Sequence, residues 1–135
     1  MPISYTIDKQ RKLVLTKATG ILTDADLYNH KRALMTDPDF EPGMRELSDV
    51  RAVEELRVTP SGVWSLMAID KEHEDKLKTF KLAIVVSGDS TFGMARMYQA
   101  VTEQTMPNVG VFRNDVEAKE WLGIPKLITQ YPINS

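Results

Sequence analysis

The sequence contains no cysteine, and this absence excludes several kinds of chemistry at once. Without thiols the chain has no disulfide, no thiolate nucleophile and no cysteine-ligated zinc or iron–sulfur site. This composition fits a reducing compartment. We therefore expect the protein in the cytoplasm.

Long apolar runs are also missing. The longest uninterrupted apolar run covers residues 82–86, whereas a membrane-spanning helix needs about 20 apolar residues. The first residues lack the basic start and apolar stretch of a signal peptide. We expect a soluble protein that is not exported by that route.

An excess of one charge is likewise absent. The 135 residues include 17 basic and 19 acidic ones, interspersed along the chain, for a formal net charge of −2. This balance gives no electrostatic footprint for nucleic acid or anionic lipid. The length is that of one domain with one core.

Apolar periodicity predicts the element order ββαβαβαβα. Strands are predicted at residues 3–7, 13–16, 44–50, 80–86 and 109–112. Helices are predicted at residues 24–36, from the Thr59-Pro60 start to about residue 75, from near Ser90 to before Pro107, and from an Asp115 cap to Gly123. The fold class is therefore α/β: one domain with a mixed, mostly parallel five-stranded sheet, an N-terminal hairpin and about four helices.

We expect the domain to span residues 1–123 and an extended tail to follow at residues 124–135. Pro125 and Pro132 argue against regular structure in the tail, and its apolar side chains are too many for a solvated end. The tail is expected to pack on its own domain or on a second subunit, and the second arrangement gives a homodimer.

Residues 88–93 (GDSTFG) partly match two motifs of strand-to-helix turns. The glycine spacing fits a phosphate-binding loop, but Met94 and Ala95 stand where that loop needs Lys and Ser or Thr. A hydrolase turn would need glycine at Phe92, and both histidines precede Ser90, against the Ser-Asp-His order. A helix cap by Asp89 or Ser90 is the simpler interpretation.

Metal and cofactor sites are not expected. His30 and His73 lie on different predicted helices, and both are predicted to be surface residues. Residues 37–43 have the rhythm of a calcium loop, but the glycine is one position late and Ser48 replaces the bidentate glutamate. An acidic turn accounts for this segment.

Several polar side chains stand near predicted strand ends and helix starts, where α/β proteins place ligands. They form the candidate ligand- or partner-binding set: Asp49, Arg51, Asp89, Ser90 and Arg96. As an alternative, Arg96 pairs with Asp49 or Asp89 and only braces the fold. Nearby methionines are either core residues or the lining of an adaptable apolar groove: Met67, Met94 and Met97.

The chain resembles the STAS-like superfamily, in an uncharacterised SpoIIAA-like bacterial branch related to anti-sigma-factor antagonists and, more distantly, to CRAL-TRIO lipid carriers. The segments that carry the resemblance are GILTDADL at 20–27, DPDF at 37–40, LSDVR at 47–51, FGMARM at 92–97, VFR at 111–113 and EWLG at 120–123. It implies a small α/β fold with a binding or regulatory role and no catalysis.

The resemblance also implies a phosphorylation site. In the antagonists the acceptor serine lies in an Asp-Ser-Ser-Gly stretch that begins a helix, and Thr59-Pro60-Ser61-Gly62 stands there in this chain. Ser61 occupies the acceptor position, whereas Thr59 and Pro60 depart from the motif. A phosphate on Ser61 would face free backbone N–H groups and the helix dipole; helix capping is the alternative.

Four functions follow as hypotheses. The first is a non-enzymatic regulatory or binding module that engages a protein partner or small ligand at the strand-to-helix edge. The second is a carrier of an apolar, lipid-like ligand, with a phospho-switch at Ser61 as a further alternative. A serine hydrolase using Ser90 is the least supported.

Overall fold

A five-stranded sheet forms the centre of the computed structural model, which describes residues 2–124. The strands are β1 (Ile3–Asp8), β2 (Leu13–Thr23), β3 (Arg45–Arg57), β4 (Lys81–Val85) and β5 (Asn108–Phe112). They lie side by side in chain order. The hairpin of β1 and β2 is antiparallel and all other pairs are parallel. The predicted mixed, mostly parallel sheet is confirmed.

Five helices connect or follow the strands, one more than predicted. They are α1 (Asp24–Met35), α2 (Pro60–Glu72), α3 (Glu74–Leu77), α4 (Asp89–Val101) and α5 (Asp115–Leu122). The extra element arises because the second helix ends at Glu72 and α3 begins after His73. Within the described residues, no helix is both long and apolar enough to cross a membrane.

Strands β2 and β3 are longer than predicted. Beyond the end of β4 they continue as a two-stranded parallel ribbon, in which Thr19 pairs with Ala52 and Thr23 with Arg57. Ala52 and Glu54 are exposed in this ribbon. The alternation of apolar and polar residues that marks a half-buried strand is missing there. The end of β3 was therefore predicted too early in the sequence.

Side-chain caps fix where α1, α2 and α5 begin. The predicted cap by Asp89 or Ser90 is wrong, because α4 begins after Gly88 and has no side-chain cap. Thr23 and Asp26 form the capping box of α1, and Thr59 caps α2 by accepting from the Gly62 N–H at 3.1 Å. The predicted Asp115 cap of α5 is wrong by one residue, because Asn114 accepts from the Glu117 N–H at 2.9 Å. Asp115 is the first residue of the helix.

Apolar side chains form a cluster on each face of the sheet. The larger cluster lies against α1, α2 and α4 and includes Val14, Leu34 and Ile69. The smaller one lies under α5. Ile124 belongs to the smaller cluster and its N–H donates to the Lys119 carbonyl at 2.9 Å. The rest of the predicted tail, residues 125–135, lies outside the described residues.

Candidate functional site

A cavity of about 120 Å³ lies between the sheet and helices α1, α2 and α4. Its wall includes Leu27 in the first turns of α1, Val63 at the start of α2, and Thr91 at the start of α4. The helices begin where the parallel strands end. The cavity therefore reaches the carboxyl edge of the sheet, the usual place for a ligand in α/β proteins. Its wall also extends down to Glu46 and Leu82, near the amino ends of β3 and β4.

The cavity wall is mostly apolar. Its apolar members come from three strands, three helices and the connection between β3 and α2: Leu22, Leu27, Val50, Val58, Val63, Leu66, Leu82, Ile84, Met94 and Ala95. Its polar members are fewer: His30, Lys31, Glu46, Ser48, Thr91 and Tyr98. Leu27, Thr91 and Ala95 are half-buried, so the wall reaches the surface beside the helix starts.

Glu46 is a buried carboxylate in this wall, with a side chain only 4% exposed. Thr16 donates to its Oε2 at 2.6 Å, and His30 Nε2 lies 3.5 Å from the same oxygen. Burial by itself would raise the pKa of Glu46, but the contact with His30, the Lys31 charge and the Thr16 hydrogen bond together lower it. Glu46 is thus a carboxylate at neutral pH.

A second buried polar group joins α1, α2 and α4. Lys31 Nζ lies 2.9 Å from Asp70 Oδ1 and donates to the Tyr98 hydroxyl at 2.9 Å. The Tyr98 hydroxyl and Thr102 both donate to Asp70 Oδ2. Burial by itself lowers the pKa of Lys31, but Asp70 and Tyr98 raise it above its ordinary value.

Asp49 and Arg51 come together, but on the other face of the sheet. Arg51 donates to both Asp49 oxygens, at 2.9 and 3.0 Å, and its Nη1 lies 3.7 Å from Asp115 of α5. Asp49 is buried. These contacts brace α5 against β3, and neither residue lines the cavity.

The remaining candidates are exposed on α4. Asp89 pairs with Arg113 at 3.1 Å, and Ser90 is fully on the surface. Among the described residues, Arg96 forms no ion pair, against the alternative that it braces Asp49 or Asp89; its guanidinium lies 5.9 Å from the Phe92 ring centre. Of the three methionines, Met94 lines the cavity, while Met97 packs against the larger core.

Ser61 is exposed in the first turn of α2. Its Oγ lies 3.1 Å from Thr59 Oγ1. The carboxylate of Asp24, at the start of α1, accepts from the Thr59 N–H at 2.9 Å and from the Thr59 hydroxyl at 2.6 Å. A carboxylate therefore already lies against the helix start that a phosphate on Ser61 would face.

No serine hydroxyl is hydrogen-bonded to a histidine in the part of the chain that the structure describes. Ser48 lines the same cavity as His30, yet no hydrogen bond joins them, and none joins Ser90 to either histidine. The prediction of two surface histidines is wrong for His30, whose side chain is 13% exposed. Across residues 2–124, no cluster of three or more His, Asp or Glu side chains is arranged for a metal ion.

A solved structure matches the chain over most of its length. It is an uncharacterised protein of the DUF3478 family from Shewanella loihica PV-4, described as having a SpoIIAA-like fold. The chain has a SpoIIAA-like fold. The sequence identity is 21%, the TM-score is 0.56, and the alignment covers 89% of this chain and 93% of that chain. No protein-family model matches the chain, and neither does any curated protein.

At this identity the likeness establishes the SpoIIAA-like fold alone. The resemblance predicted from the sequence is confirmed at that level. In this SpoIIAA-like fold the cavity residues Lys31 and Glu46, and Asp70 behind Lys31, were missed by the sequence analysis. A signal for them exists: Lys31 stands at helical spacing between Leu27 and Leu34, and Asp70 follows Leu66 by one turn. Each is a charge on an apolar face.

Proposed function

We propose that this chain is a binding module whose ligand site is the cavity beneath the starts of α1, α2 and α4. The exposure of part of the cavity wall beside the helix starts, at the carboxyl edge of the parallel strands, carries this proposal. Its composition agrees, because small-molecule sites combine a mainly apolar wall with a few polar groups that orient the ligand.

The size of the cavity favours a small ligand. Drug-sized ligands occupy pockets of roughly 300–1,000 Å³, whereas this cavity measures about 120 Å³. An apolar cavity of about 150 Å³ in another protein holds benzene. A molecule of one ring fits inside, and a small fused two-ring molecule such as indole fits if part of it lies where the wall reaches the surface. A carrier of lipid-sized molecules would need the walls to move apart.

The binding role is proposed without catalysis. Its support is that Ser48 and His30 line one cavity without a hydrogen bond between them. Ser90 stands outside the cavity on the exposed start of α4. A serine hydrolase needs its nucleophile within hydrogen-bonding reach of a base.

Titration of the protein with indole, monitored by NMR or calorimetry, tests the site. Two variants make the same change on α4: Ala95→Leu adds three carbons to the cavity wall, and Ala100→Leu adds them on the exposed side. We expect Ala100→Leu to bind like the unmodified protein and Ala95→Leu to bind at least about tenfold more weakly, because the added atoms fill the site. Equal binding by all three proteins contradicts the proposal.

A protein partner is a second use of the same edge. Its support is that Asp89, Ser90 and Arg96 are exposed on α4, beside cavity residues Thr91 and Ala95. Reversing one charge with Arg96→Glu should abolish co-purification of a partner polypeptide from the host. A partner retained equally by Arg96→Glu speaks against this surface.

A phospho-switch at Ser61 is the third proposal, supported by its exposed hydroxyl in the first turn of α2. Protein purified from its host should then show an intact-mass gain of about 80 daltons that Ser61→Ala removes. A gain that survives Ser61→Ala would place the phosphate elsewhere.

A further inference from the structure

The inner end of the cavity carries an unused hydrogen-bond acceptor. Both described contacts of Glu46, from Thr16 and from His30, go to Oε2. Among the described residues, Oε1 has no hydrogen-bond partner, although the side chain is only 4% exposed and lines the cavity. Oε1 is not fully enclosed by the described residues, so a hydrogen-bond donor in the cavity can reach it.

The charges around this end leave one negative charge in excess when His30 is neutral. Lys31 and Asp70 offset each other at 2.9 Å, and Glu46 is the remaining charge in the wall. An anion brought into a mostly apolar cavity beside Glu46 meets both repulsion and loss of hydration. A cation loses hydration as well but gains the attraction of the carboxylate.

The Ser48 hydroxyl is a second polar group on the same side of the sheet as Glu46. Ser48 lies two residues after Glu46 on β3, so both side chains are on the cavity face of the sheet. No hydrogen bond from the Ser48 hydroxyl to another described residue is present. A hydroxyl accepts as readily as it donates, so an ammonium with three N–H donors can use Glu46 and Ser48 together.

We propose that the cavity binds a small amphiphilic amine, with its ammonium at Glu46 and Ser48 and its apolar body among Val63, Leu66 and Ile84. This inference rests on the proposed function, since it names the ligand class of the same cavity. The wall composition agrees with it, because the apolar side chains surround the body and the open acceptor lies at one end.

Three probes of the same shape test the charge preference: benzylamine, benzyl alcohol and benzoate, titrated into the full chain at pH 8 by calorimetry. Benzylamine should bind most tightly and benzoate at least about tenfold more weakly than benzylamine. Benzoate binding as tightly as benzylamine overturns the inference. If all three bind equally, the cavity is a binding site without this preference; if none binds and indole also fails, the proposed function itself falls.

A pair of variants on β3 locates the preference. Glu46→Gln keeps the shape but removes the charge, and Glu54→Gln makes the same change at an exposed position of the strand. Glu46→Gln should reduce the ratio of the benzylamine affinity to the benzoate affinity to below about threefold. Glu54→Gln should leave this ratio unchanged. A ratio unaltered by Glu46→Gln overturns the assignment to Glu46. If Glu46→Gln does not fold, the probe ranking with the unmodified chain decides alone.

Discussion

The Lys31 ammonium and the Asp70 carboxylate meet at 2.9 Å inside the larger core, where their side chains are 9% and 0% exposed. Lys31 belongs to α1 and Asp70 to α2. The pair therefore ties together two helices that both contribute to the cavity wall. Tyr98 of α4 bonds to both partners and extends the tie to the third helix.

Removing one partner of this pair should be costly. Lys31→Met leaves the Asp70 charge buried alone, and Asp70→Leu leaves the Lys31 charge alone. Each single variant should lose about 3–5 kcal/mol of unfolding free energy, while the double variant should lose less than the sum. Urea unfolding followed by circular dichroism measures all four proteins. Additive losses would show that the pair contributes nothing as a pair.

Glu46 should make stability depend on acid pH. Its pKa in the folded protein lies below the ordinary value, because His30, Lys31 and Thr16 together outweigh burial. A group with a lowered folded pKa stabilises the fold above its unfolded pKa, and this contribution is lost as the pH falls through the folded value. We expect the free energy of unfolding of Glu46→Gln to fall less steeply than that of the unmodified protein as the pH drops below about 4.5. The exposed change Glu54→Gln is the control. An unchanged acid limb in Glu46→Gln argues against this role.

Gly62 should resist substitution despite its place in a helix. A Cβ at this position would lie 2.0 Å from Asp24 Oδ1, and that carboxylate is held by two hydrogen bonds from Thr59. Alanine normally favours a helix over glycine by about 1 kcal/mol, so the two effects oppose each other. We expect the displaced carboxylate to dominate and Gly62→Ala to lower the free energy of unfolding by about 1–2 kcal/mol.

The control for Gly62→Ala removes the obstacle. In an Asp24→Ala background the same substitution should be neutral or stabilising, because only the helix preference remains. Thermal or urea unfolding of the four proteins gives the comparison. A stabilised Gly62→Ala single variant would mean that Asp24 moves aside at no cost.

Most of the fold could be predicted from the sequence because its signals are local. Thr23 and Thr59 cap helices with their own nearby backbone, and β4 is an apolar run with turn residues on one side. The ribbon of β2 and β3 could not be predicted in this way. Exposed residues such as Ala52 and Glu55 form strand structure there only because the other strand pairs with them.

The candidate residues named from the sequence lie beside the proposed site and do not line it. Asp49 and Ser48 are adjacent on β3, yet successive side chains of a strand face opposite sides, and only Ser48 faces the cavity. Likewise Thr91 and Ala95 line the cavity, while Ser90 and Arg96 beside them are exposed. Tertiary packing decides which face of the sheet the three helices cover. A local sequence pattern cannot predict this.

Methyl proton–carbon NMR spectra recorded during an indole titration test the central claim most directly. Val63, Leu66 and Ile84 line the cavity, whereas Leu47 and Val85 pack on the opposite face of the sheet. We expect the methyl signals of Val63, Leu66 and Ile84 to shift in a saturable way. The methyl signals of Leu47 and Val85 should not shift. Shifts confined to the α5 face, or no saturable shift at all, would contradict a ligand site in this cavity.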